Sequence, residues 1–104
     1  MPDQYNVLVS PSADRKLASH IEFLSRVNEM AAARLYTAYG EALCLLATSP
    51  KICPPYNPPK MTDADLRAKL FAKRYRIVFE IIGNSVYIYD IQDCRQDADK
   101  SLVE

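Results

Sequence analysis

The stretch LRAKLFAKRYRIVFEIIGNSVYIYDIQDCR, residues 66–95, carries most of the information about the fold. It is rich in β-branched and aromatic residues and is punctuated twice, at Lys73-Arg74 and at Gly83-Asn84, a pair that tolerates the positive φ of a tight turn. It therefore reads as three consecutive antiparallel strands over residues 66–72, 75–82 and 86–93. Arg67, Lys69, Lys73, Arg74 and Arg76 crowd its first half. In Leu66-Arg67-Ala68-Lys69-Leu70 apolar and basic side chains alternate with period two, which predicts one face packed on a core and an opposite, positive face able to meet an anion. The plainer reading is a solvated sheet face whose Lys and Arg protect an edge from unwanted pairing. It suits Lys73 and Arg74, in a turn, better than Arg67 and Arg76.

Upstream of the strands, residues 49–65 hold Pro50, Pro54, Pro55, Pro58 and Pro59. Each removes a backbone donor and fixes φ, so this segment is a connecting loop. Tyr56 is expected to anchor it on the core. Further upstream, Ala32, Leu35, Tyr39, Ala42, Leu43 and Leu46 recur at helical spacing up to Ser49, just before Pro50. Gly40 costs such a helix ~1 kcal/mol and suggests a close helix crossing. An earlier stripe of Ala13, Leu17, Ile21, Leu24 and Val27 follows Ser10-Pro11, a capping residue and a first-position proline. Asn28-Glu29 separates the two helices, and residues 5–9 form an opening strand. The expected fold class is α+β, an N-terminal strand, a helical hairpin and a three-stranded antiparallel meander, in the order β-α-α-β-β-β.

A chain of 104 residues with 49% hydrophobic content supports one core and one domain, 1–104, with residues 96–104 as a polar tail. Apolar runs such as residues 43–47 and 77–82 are far short of a membrane span. Cys44, Cys53 and Cys94 are odd in number, lack metal-type spacing and follow no secretory signal, so free thiols in a reducing cytoplasm are expected. Thirteen basic residues balance thirteen acidic ones, which argues against binding nucleic acid by bulk electrostatics. The balance is local, however. Residues 60–76 carry six cations against Asp63 and Asp65, whereas residues 77–104 carry Arg95 and Lys100 against six anions.

The order of elements, together with "SPSADRKL" (10–17), "ALCLLATSP" (42–50), "LRAKLF" (66–71), "YRIVFEIIGNSVYIYDI" (75–91) and "DCRQD" (93–97), resembles the RelE/ParE superfamily, the toxin halves of type II toxin-antitoxin pairs. Leu66-Arg67 and Tyr75-Arg76-Ile77 are the most diagnostic pieces. The resemblance implies a helical hairpin packed on one face of a twisted sheet, no cofactor or metal, a cognate antitoxin partner in a hetero-oligomer, and a role in growth inhibition or plasmid stabilisation. Two targets stay open: DNA gyrase, bound without chemistry as in the ParE branch, and messenger RNA on the ribosome, cut as in the RelE branch. A third reading is a binding module that keeps the fold without toxicity.

Cleavage of RNA by its own 2′-hydroxyl needs groups to accept a proton, donate a proton and stabilise a phosphorane. By the resemblance, Arg67, Lys69, Arg76 and Arg95 are the candidate catalytic residues for that route. RelE-like enzymes also place a tyrosine or histidine at or after the last strand, and residues 96–104 contain neither. Tyr87 or Tyr89 would have to substitute. The sole histidine, His20, falls in the first helix and is read as structural or surface. The proportions of the chain and its neutral net charge match the ParE branch better, because a ribosome-docking nuclease gains from a basic surface.

Overall fold

The computed structural model describes residues 4–56 and 65–94. The first strand, β1, spans Asn6–Val9, followed by helices α1 (Pro11–Val27) and α2 (Glu29–Thr48). A single turn of 3-10 helix at Pro50–Ile52 leads on, and strands β2 (Leu66–Phe71), β3 (Tyr75–Ile82) and β4 (Ser85–Asp93) complete the α+β order expected. Residues 57–64, the rest of the proline-rich segment, and residues 95–104, with Arg95 and the polar tail, lie outside the described residues.

Local chemistry sets both helix starts. Ser10 accepts a hydrogen bond from the Ala13 N–H at 3.0 Å and Pro11 takes the first helical position, where a missing N–H costs nothing. Asn28 alone joins the helices. Its N–H donates to the Leu24 carbonyl, closing α1, and its side-chain oxygen accepts from Met30 N and Ala31 N, opening α2. A one-residue connection forces the helices antiparallel and side by side.

The sheet runs β1-β4-β3-β2, with β4 parallel to β1 and antiparallel to β3, and β2 antiparallel to β3. The final strand is thus interior, inserted between the opening strand and the meander. On its helix-facing side Phe71, Tyr75, Ile77, Phe79, Val86, Ile88 and Ile91 pack with Ala13, Leu17, Leu35, Tyr39, Ala42 and Leu46 from the two helices. Burial of this layer supplies the dominant favourable term for folding.

Three expectations need correction. Val27, placed on the apolar stripe of α1, is 73% exposed at the helix end. Gly40 marks no close crossing, because a Cβ built there meets nothing within 4 Å. The β2–β3 turn begins one residue earlier than expected, with Ala72 and Lys73 at φ 51° and 71°. Among the described residues no helix is long and apolar enough to cross a membrane.

Candidate functional site

Register decides where the basic residues go. Paired residues on neighbouring strands share a face, and the register sets Arg67 opposite Phe79 and Lys69 opposite Ile77, both buried core residues. Arg76 stands opposite Gln92 on β4 and Leu70 on β2, on the face away from the helices. The alternation in Leu66-Arg67-Ala68-Lys69-Leu70 is real but inverted. Leu66, Ala68 and Leu70 occupy the outer face, with Leu70 57% exposed, while Arg67 and Lys69 lie on the helix side of an edge strand. Arg67 and Arg76 are therefore not brought onto one surface.

Arg67 is occupied structurally. Its Nη1 donates to the Cys53 carbonyl at 2.7 Å and the Lys51 carbonyl at 3.3 Å, satisfying oxygens of the 3-10 turn. The backbone follows the same route: Tyr56 N–H donates to Leu66 O, Ala68 N–H to Pro54 O, and Pro55 bridges Arg67. A proline-rich segment, unable to serve as a central strand, thus covers the free edge of β2.

This brings Tyr56 to the outer face. The Arg76 guanidinium lies over its ring, 4.8 Å from the centroid, and Arg76 Nε donates to Gln92 Oε1 at 2.9 Å, with Nη2 donating to the same oxygen. Gln92 Nε2 donates in turn to Asp90 Oδ2 at 3.0 Å, and Asp90 Oδ1 accepts from Lys16 of α1 at 2.7 Å. Partial burial works to raise the Asp90 carboxyl pKa, but the hydrogen bonds from Lys16 and Gln92, the Lys16 charge and the Ile91 N–H outweigh it and hold the group below its usual range. Asp90 reaches this position through a bulge in β4: Val78 pairs with Asp90 and Phe79 with Ile88, leaving Tyr89 as the extra residue.

Between the edge segment and the sheet lies a cavity of about 440 Å³ lined by Cys53, Tyr56, Lys69 and Arg76 over an apolar floor that includes Leu45 and Ile52. Lys69 and Arg76 thus meet at one cavity although they leave the sheet on opposite faces. Two cations and a stacking ring suit an anionic or planar group. A poised proton acceptor is another matter. Burial pushes the Cys53 thiol up, against the pull of Lys69 and Arg67, so it stays protonated at neutral pH. His20 lies on the helix side, edge-on to Tyr75 with centroids 5.2 Å apart and Nε2 3.4 Å from the Ile91 carbonyl. Tyr89 donates to Glu80 Oε1 at 2.7 Å, which raises its pKa, and Glu80 sits four strand residues from Arg76, roughly 13 Å. Tyr87, opposite Glu80, is half-buried.

Sequence reasoning named Arg76 and Lys69 but missed Gln92, Asp90 and Lys16, whose partnership crosses from α1 to β4. The only available signal was Tyr89-Asp90, two residues between Ile88 and Ile91 where a regular alternation would place one.

A strand, a helical hairpin capped through one asparagine, and a meander whose last strand pairs in parallel with the first define the fold of RelE/ParE-type toxins. A family model described as the ParE toxin of the type II toxin-antitoxin system parDE matches residues 7–98. The chain belongs to the ParE toxin family. A chain of the chromosomal ParDE toxin-antitoxin system from P. aeruginosa has a similar structure, with a TM-score of 0.69 at 12% identity, covering 88% of this chain and 97% of that one. No curated protein matches the chain.

Proposed function

We propose that the chain is the toxin half of a type II toxin-antitoxin pair, held in check by a cognate antitoxin in the cytoplasm, and that it acts by binding DNA gyrase without chemistry. Family membership supports the first part, as does the similarity to a chain of a ParDE system. One observation carries the second: Arg67, spent on loop carbonyls, and Arg76, bound to Gln92 and Tyr56, leave the sheet on opposite faces, and the thiol at their shared edge, Cys53, is shifted away from reactivity. An RNA-cleaving site needs a base, an acid and phosphate clamps around one phosphate. Arginines committed to partners within the chain favour a docking surface over a bond-breaking site.

The test is to induce the chain alone in a bacterial host and follow pulse-labelled protein synthesis alongside plasmid supercoiling. The expected result is growth arrest with translation sustained through the first minutes and loss of negative supercoiling. An immediate collapse of synthesis with mapped messenger RNA cuts would replace this reading with the RelE-like one. Normal growth with intact supercoiling would favour a binding module that has lost toxicity.

A further inference from the structure

A second concavity opens on the helix side, at the far end of the hairpin from the 3-10 turn. It measures about 540 Å³, with a floor of Leu24, Leu35 and Ala38 and a rim of Arg34, Lys73 and Arg74. Among the described residues no carboxylate lines it. Neither Arg34 nor Lys73 makes an ion pair with a described residue. Lys73 is held at the rim by a turn in which two non-glycine residues, Ala72 and Lys73, adopt left-handed φ at a cost of roughly 1–2 kcal/mol each.

The described chain leaves the sheet at this rim. Cys94 N–H donates to the Arg74 carbonyl at 2.7 Å. The sequence beyond Cys94 is complementary to the groove: Asp97, Asp99 and Glu104 supply negative charge against Arg95 and Lys100, and Leu102-Val103 is an apolar pair. Even fully extended, the chain carries Asp97 only about 10 Å and Asp99 about 17 Å from Cys94. A tethered segment this short meets its site at an effective concentration in the millimolar range, so weak contacts suffice.

We propose that residues 96–104 of the chain itself occupy this groove, with Asp97 and Asp99 paired to the Arg34, Lys73 and Arg74 rim and Leu102-Val103 laid on the apolar floor. The contact does not depend on which target the toxin inhibits. Its consequence is competition: a segment of another protein enters the groove only by displacing the chain's own, and its apparent affinity falls by the fraction of molecules in which the groove is filled.

Carbodiimide coupling of the wild-type chain tests this, since it joins lysine amines to carboxylates in contact, and the Lys16–Asp90 pair at 2.7 Å is a built-in positive control. In the monomer, peptide mapping is expected to find Lys73 joined to Asp97 or Asp99. Arg34→Gln and Leu102→Ser, neither of which adds or removes an amine or a carboxylate, are expected to cut that yield by at least about threefold while leaving Lys16–Asp90 coupling unchanged. Three results would overturn the proposal. One is coupling of Asp97 and Asp99 to Lys73 no better than to the distant Lys51. Another is a yield indifferent to both substitutions, which is proximity without docking. The third is product confined to covalent dimers, which makes a second copy the occupant.

Discussion

Arg76 on β3 lies over the ring of Tyr56, 4.8 Å from its centroid, and so fastens the proline-rich segment to the sheet at the same place where it binds Gln92. The contact joins parts of the chain that sequence separates by a whole strand. A charged hydrogen bond and a cation–π contact together make Arg76→Ala cost about 2 kcal/mol of stability by chemical denaturation. Growth arrest on induction is expected to persist. Arrest abolished with stability unchanged would instead put Arg76 in contact with the target.

Arg67 serves the other side of the same edge. Removing its Nη1 leaves the Cys53 carbonyl without that donor, so Arg67→Ala is expected to lose about 2 kcal/mol. It also loosens the cover over Cys53, which is only 4% exposed. Reaction with a thiol reagent should accelerate at Cys53 and stay unchanged at the already exposed Cys44. An unchanged Cys53 rate would show that the backbone pairing of residues 54–56 suffices without the arginine.

Tyr39 is buried with a hydroxyl that finds no hydrogen-bond partner among the described residues. Burial raises its pKa, with the nearby charge of Asp14 adding to the effect. Removing an unsatisfied hydroxyl while keeping the ring contact with Phe71 recovers its desolvation cost, so Tyr39→Phe should raise stability by about 1 kcal/mol, seen as a Tm higher by about 4–8 °C. A lower Tm would mean that the hydroxyl has a solvent partner worth keeping.

Gly40 stands exposed in α2 with open space where a side chain would go. Gly40→Ala should therefore stabilise the protein by up to ~1 kcal/mol, through helix propensity and a less mobile unfolded chain. Loss of stability would mean that the helix needs glycine for a contact made outside the described residues.

Asp90 titrates below its usual range because Lys16 and Gln92 favour the carboxylate. A depressed carboxyl pKa stabilises the fold fully above the unfolded value of about 3.9 and loses that contribution as pH falls through the folded value. The Tm gap between the wild type and Asp90→Asn should be constant above about pH 5 and close below pH 4. A gap that persists in acid would assign the loss to the shape of the bulge and not to the charge.

Much of the architecture is legible in local chemistry. Ser10-Pro11, Asn28 and Gly83 each act within a few residues, through caps and a permitted φ, so the order of elements and the helix starts can be read from the sequence alone. The core stripe of α2 is equally plain, since Ala32, Leu35, Tyr39, Ala42 and Leu46 are all buried. A period-two pattern is different. It separates two faces without saying which is inward, and β2 sits at the sheet edge, where either face can be covered. Tertiary packing was needed to turn Arg67 and Lys69 toward the helices and to insert β4 beside β1. The same packing lets the bulge at Tyr89 swing Asp90 to Lys16 and brings Tyr56 to Arg76. These arrangements depend on strand register and long-range burial, and neither is encoded in the spacing of neighbouring residues.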